Sequence, residues 1–188
     1  MTETPNPHAP DTDTMTGGMR PIRQAVVSVG SNLGERINNV QGAVAALADT
    51  PEVTVVSVSS VYETVPVGAP PGSRDFLNAV VLIDTTLTVH TLLDRCQAIE
   101  DAFGRERTED QNAPRTLDVD LIVVGSRVAS DDRLTLPHPR AHERAFVLVP
   151  WMELDLEGEI PGKGFVADLV QGLDTAGVKR REDLEILV

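Results

Sequence analysis

Two acids separated by one residue stand in the stretch Pro114-Arg115-Thr116-Leu117-Asp118-Val119-Asp120-Leu121-Ile122-Val123-Val124, whose β-branched content predicts a strand. Strand side chains alternate, so Thr116, Asp118, Asp120, Ile122 and Val124 share one face and Leu117, Val119, Leu121 and Val123 the other. The second face is wholly apolar and is expected to be buried. Carboxylates at i and i+2 repel each other, and hard oxygen donors so placed suit magnesium, which is held by one or two carboxylates plus substrate phosphates. A solvated Asp-x-Asp edge is the plainer alternative. Such an edge needs neither Arg115 before it nor the apolar run after it.

The elements that must position these acids follow from the rest of the pattern. Gln24 to Gly30 predicts a short strand, ending in the turn-rich Gly30-Ser31-Asn32-Leu33-Gly34. That spacing matches neither the Walker nor the dinucleotide pattern, so the loop is read as structural. Ile37, Val40, Val44 and Leu47 recur at helical spacing up to Asp49-Thr50-Pro51. Val53 to Tyr62 predicts one long strand, Glu63 to Gly72 a loop, and Asp75 to Asp84 a strand that pairs with the preceding one. Phe76 and Asn78 share a face of that strand with Val80. A core aromatic is the simple reading of Phe76; beside Asn78 it also offers a planar heterocycle a flat surface and an amide. Thr88 caps a helix carrying Val89, Leu92, Leu93, Cys96, Ile99 and Phe103 on its apolar stripe.

The order strand, helix, strand, strand, helix, strand predicts an α+β, ferredoxin-like βαββαβ sheet, antiparallel, with both helices on one face. Asp118 and Asp120 then fall on the open face with Phe76 and Asn78. Beyond it the sequence predicts a small hairpin around Arg127-Val128 and Leu134 to Leu136. A short helix from Glu143 to Met152 is expected to stop or kink at Pro150. A turn at Pro161 to Gly164 and a helix over 165–173 would close the far side. Residues 1–23, rich in Thr, Pro, Asp and Gly, read as a disordered extension, and residues 24–188 as one domain.

A formal charge of -13 argues against a nucleic-acid partner. Any polyanionic ligand must therefore meet positive charge gathered locally. Lys163 and Lys179 are the only lysines, so that charge comes from arginine, whose planar fork suits phosphate. One cysteine, Cys96, excludes an intrachain disulfide and a cysteine-built metal site, and a reduced, cytoplasmic setting is the simplest expectation. No stretch approaches the ~20 apolar residues of a membrane span.

The run Pro114 to Leu121 resembles the signature of the 6-hydroxymethyl-7,8-dihydropterin pyrophosphokinase family, and the likeness extends from about Ala25 to about Phe165. The resemblance implies transfer of pyrophosphate from ATP to a pterin alcohol in folate biosynthesis, with two Mg²⁺ ions on Asp118 and Asp120. It implies catalytic roles for Arg105, Arg115, Asp118 and Asp120. The matching ATP positions are Gln97, Glu100, Arg105, Arg107, Arg115, Leu121, Arg133, Thr135, His138 and Arg144. The pterin positions are Thr64, Val65, Val67, Phe76, Asn78 and Phe146. This chain has Gln111-Asn112 where the family often has Arg-Trp, and Pro139 where a Tyr follows the histidine, so a differently closed lid is expected. Two other classes fit the fold. A palm-type nucleotidyl transferase would take one acid from the first strand, and a regulatory binding module would leave the acids and arginines unexplained.

Overall fold

The computed structural model describes residues 20–66, 68, 71–105 and 114–188. The extension read as disordered lies outside them as far as residue 19, and regular structure begins with β1 (Arg23–Ser31). There follow α1 (Arg36–Ala48), β2 (Val53–Val58), β3 (Tyr62–Thr64), β4 (Phe76–Thr85), α2 (Val89–Ala102) and β5 (Asp118–Val124). β1 lies between β4 and β5, and β2 and β3 lie one after the other along the far side of β4, all antiparallel. This is the expected ferredoxin-like α+β arrangement. Thr88 caps α2 as its sequence suggests, its hydroxyl accepting from the Thr91 N–H.

Alternation along the strands sorts the core into two layers. Val27, Val29, Ala79, Val81, Val119 and Leu121 pack against Val40, Val44 and Leu47 of α1 and Leu92 and Cys96 of α2. On the other face Val26, Val80, Leu82 and Ile122 lie beneath Val147, Leu148 and Trp151 of α3 (Ala145–Leu154). Pro150 neither stops nor shortens α3, which runs four residues past it. The remaining elements are β6 (Ala129–Ser130), β7 (Thr135–Leu136), β8 (Glu159–Ile160), β9 (Gly164–Phe165), α4 (Val166–Gln171) and β10 (Val178–Arg180).

Two strands depart from simple alternation. In β5 the register passes from Val27 opposite Leu121 to Val26 opposite Val123, so Ile122 is the extra residue of a bulge. Val123 therefore joins the α3-side core and Val124 the α1–α2 side, the reverse of the expected facing. The long strand expected over 53–62 is broken at Ser59 and Ser60. There Ser59 N–H donates to the Val80 carbonyl at 2.9 Å and Val80 N–H to the Ser59 hydroxyl at 2.9 Å. Glu153 of α3 holds the break by accepting from Ser60 N–H at 3.1 Å, the Ser60 hydroxyl at 2.8 Å and the Tyr62 hydroxyl at 2.9 Å. The chain then resumes as β3, so Glu63 and Thr64 belong to a strand and not to the loop.

Removing the Glu153 carboxylate leaves three donors at this seam without their acceptor. Glu153→Ala is expected to lower stability by about 1–3 kcal/mol in urea unfolding. Tyr62, the only tyrosine, reports the same contact: burial first, and then the Glu153 hydrogen bond, push its phenol up to about 12. Its ultraviolet titration should move back toward 10 in the variant, and an unmoved titration would contradict this account of the seam.

Candidate active site

The sheet register aligns the predicted residues in one row. Asp118 lies across from Gly30, and Gly30 across from Asn78 on its other side. The middle position carries no side chain. A Cβ at residue 30 would come within 2.5 Å of the Asn78 side-chain oxygen and 3.6 Å of the Phe76 ring. Glycine is therefore what allows Asn78 and Phe76 to lie over β1. Strands ~4.8 Å apart separate Asn78 from Asp118 by ~10 Å, the length of a bicyclic heterocycle with a short arm. The first strand adds Gln24, Val26, Ser28 and Gly30 to this face and no acid, which removes the defining feature of the palm-type alternative.

Charge is concentrated at the Asp118 end. Asp118 accepts from Arg105 at 2.8 Å on one oxygen and from Arg115 at 2.7 Å on the other. Arg105 also pairs with Glu100, a buried carboxylate that accepts from Val119 N–H at 2.8 Å. Asp120 pairs more loosely with Arg144 at 3.3 Å. Burial, reinforced by repulsion from Asp118, pushes the Asp120 carboxyl up to about 7 despite Arg144. A pair of hard oxygen donors with one proton to release fits a divalent cation. Among the described residues no group of three or more His, Cys, Asp or Glu side chains suited to a metal occurs, so substrate oxygens would complete the shell.

Two asparagines on the first loop and helix fix the start of the acid-bearing strand. Buried Asn32 accepts from Arg115 N–H at 2.7 Å, donates its own N–H to the Arg115 carbonyl at 3.1 Å and reaches the Arg74 carbonyl at 3.3 Å. Asn39 donates to the Thr116 carbonyl at 2.9 Å and the Leu33 carbonyl at 3.0 Å. The Gly30 to Gly34 loop thus has a structural part, and Asn32 within it holds Arg115, a role its sequence context alone does not announce. A buried amide beside a strand end is the signal that points to it.

Of the predicted ATP-side residues, Gln97, Glu100, Arg105, Leu121, Arg133, Thr135 and His138 line a single cavity of about 350 Å³ between α2 and the edge of β5. Asp120 and Pro139 line it too. Arg133 pairs with Asp94 at its rim, while Arg115 and Arg144 reach the site through the two acids. On the other side, buried Thr64 accepts from the Asn78 amide at 2.6 Å. Val65 is exposed, and Phe146 opens α3 with the Arg144 guanidinium 5.5 Å from its ring centre. Val67, Arg107, Gln111 and Asn112 lie outside the described residues.

The fold defines the class first. Chains of solved Plasmodium falciparum HPPK-DHPS share it: a triple mutant with SDX-DHP superposes at a TM-score of 0.65 with 12% identity, over 87% of this chain and 46% of that one. The wild type with pteroate gives 0.61 and 12%, over 84% and 43%. This chain thus spans under half the length of those chains. The sequence identifies the family. The profile of 7,8-dihydro-6-hydroxymethylpterin-pyrophosphokinase (HPPK) matches residues 26–156, and the chain belongs to that family. Relatives named 2-amino-4-hydroxy-6-hydroxymethyldihydropteridine pyrophosphokinase include those of Methylorubrum extorquens, 43% identical over 86% of this chain and all of that protein, and of Mycobacterium leprae, 45% identical over 76% and 78%.

His138 has a defined protonation state in this site. Its backbone N–H donates to the Ile122 carbonyl at 2.8 Å, and its Nδ1 accepts from Arg140 N–H at 3.2 Å, so the ring proton sits on Nε2. Burial, with the Arg144 charge second, lowers the imidazole to about 4. His138 should therefore show no NMR titration step between pH 5 and 8. Because the folded value lies below that of a free imidazole, this residue withdraws stability only as pH falls from about 6.5 toward 4. A step near 6.5 would refute the assignment.

Proposed function

We propose that this chain transfers pyrophosphate from ATP to 6-hydroxymethyl-7,8-dihydropterin, giving AMP and the pterin diphosphate for folate biosynthesis, at the cleft floored by Gly30. The observation that supports this reading is the row Asn78, Gly30, Asp118, which sets an amide and a carboxylate about one small substrate apart. The hydroxyl oxygen bonds to the β-phosphorus as the bond from that phosphorus to the α–β bridging oxygen breaks; AMP leaves with that oxygen and the hydroxyl proton is released to solvent. Such a transfer demands in-line positioning and charge neutralisation more than covalent chemistry.

Each side of the cleft has a part. Thr64, Val65, Val67 and Asn78 read the polar edge of the pterin, and Phe76 and Phe146 give it apolar faces. The adenosine lies in the cavity by Gln97, Glu100 and Leu121. Arg105, Arg107, Arg115, Arg133 and Arg144 take the phosphates, with Thr135 and the neutral Nε2–H of His138 as further donors. Asp118 accepts the hydrogen bond of the attacking hydroxyl. Asp118 and Asp120 would hold two magnesium ions, which would supply neutralisation of phosphate charge and a lowered pKa for the alcohol. We place the reaction in a reduced, cytoplasmic setting, in keeping with a single cysteine, Cys96, that is buried as a free thiol.

The test is chromatography of AMP after mixing the protein with ATP, Mg²⁺ and the pterin, with and without chelator. Pterin-dependent AMP that disappears with chelator is the expected result. Asp118→Ala and Asp120→Ala should each lower it by at least ~10³-fold while remaining folded by circular dichroism. Normal turnover in either variant would sink the metal assignment. Asp120 adds a pH signature: because its carboxyl is held up to about 7, a proton competes with the cation below that pH. At limiting Mg²⁺ the magnesium requirement should rise toward tenfold per pH unit on acidification from about 7, and a flat requirement would remove Asp120 from the ligands.

A further inference from the structure

The pterin side of the cleft rests on a strand of three residues. β3 carries Thr64, the partner of the Asn78 amide, and a strand so short is marginal when only one of its edges is paired. Here the other edge is covered by a segment outside the family match, which ends at residue 156. β10 pairs with β3 through Val178 opposite Thr64, Lys179 opposite Glu63 and Arg180 opposite Tyr62. Val65 N–H and Arg181 N–H extend the ladder to the Gly177 and Val61 carbonyls at 3.4 and 2.8 Å. β3 thereby becomes an interior strand.

Side chains lock the same segment to the start of β4. Glu63 accepts from Arg36 at 2.8 Å on one oxygen and from Arg181 at 2.9 Å on the other. Arg36 also donates to the Asp75 carbonyl at 2.7 Å, the residue just before Phe76. Asp183 grips the Arg181 guanidinium at 2.8 and 2.7 Å, which leaves its remaining nitrogen aimed at Glu63. Beyond it Leu184 and Ile186 pack on the α1–α2 side core, and Gln41 of α1 exchanges hydrogen bonds of 2.6 and 2.8 Å with the backbone of Leu187.

We propose that residues 177–188 act as a strap that fixes β3 against the start of β4, with Glu63 and Arg181 as positioning residues for the pterin. The inference rests on the proposed pterin side of the site. None of these residues reaches the ATP cavity, so the strap acts on one substrate alone.

The test compares KM for the pterin and for ATP in the full chain, in Arg181→Ala, Arg181→Lys and Glu63→Gln, and in a chain ending at Gly177. Arg181→Ala and Glu63→Gln should raise the pterin KM about tenfold while the ATP KM stays within about twofold. Arg181→Lys should recover little, because one ammonium cannot serve Glu63 and Asp183 together. The shortened chain, where it folds, should show the largest pterin KM with the same selectivity. An active full-length enzyme whose point variants keep the pterin KM, or raise both KM values alike, would overturn the strap. A full-length chain that makes no AMP would overturn the proposed reaction.

Discussion

The repulsion between Asp118 and Asp120 is the constraint that the site is built around. Two carboxylates ~6 Å apart at an effective dielectric of ~20 repel by about 2–3 kcal/mol. That cost persists in the folded chain only because other groups offset it. Asp118 is offset by two guanidinium groups, Arg105 and Arg115, each of which takes a different oxygen. Among the described residues Asp120 makes one ion pair, the longer contact to Arg144, and burial with repulsion from Asp118 raises its carboxyl pKa. The site thus holds positive charge in place before any ligand arrives. In the proposed reaction triphosphate oxygens would compete for the same arginines as a cation took over the acids, so binding would exchange partners and expose no bare charge.

Such an exchange requires that the strand carrying the acids stay fixed while its counter-ions move. β5 is an edge strand with a bulge at Ile122, and edges and bulges are where sheets deform most readily. The fixing comes from outside the ladder. Asn32 and Asn39 hold the backbone of Arg115 and Thr116, Glu100 holds Val119 N–H, and the Ile122 carbonyl accepts from His138. Glu100 does double service, since the carboxylate that anchors the strand also orients Arg105 toward Asp118. A residue taken from sequence as an adenosine contact is thus tied first to the backbone and to a guanidinium.

Period-two and helical patterns were legible because burial on one face enforces them. The four long strands and two long helices, and the shared face of Phe76, Asn78, Asp118 and Asp120, follow from that alternation alone. What escaped depends on single tertiary contacts. The bulge at Ile122 reverses Val123 and Val124, both apolar, so no change of residue type announces it. The break at Ser59 and Ser60 needs Glu153, which lies 93 residues away and had no reason to be matched with it. β10 is composed of Val178, Lys179 and Arg180, too short and too polar for pattern to detect. Pro150 is tolerated where α3 is otherwise apolar and well packed, so tertiary burial outweighs the one hydrogen bond that proline cannot donate.

The two ends of the sheet therefore serve opposite needs. At the β5 end the edge stays open toward the cavity, whose opposite wall is supplied by side chains of α2 and β7, and this leaves room for the proposed nucleotide. At the β3 end the edge is closed by β10, and its carboxylate, Glu63, is satisfied by two arginines, which hold its pKa below the ordinary carboxylate range. That depression sets a sign: the contribution of Glu63 to stability is full above its unfolded value and is lost as pH falls through the folded one. Acid would therefore loosen the β3 end through Glu63 only as pH falls through and below the ordinary carboxylate range, after Asp120 at the β5 end has gained its proton near neutrality and His138 has begun to withdraw stability. Between them Gly30 joins the amide of Asn78 to the charged end at Asp118, and the reach across that glycine matches the distance from the ring of the proposed pterin to its hydroxyl.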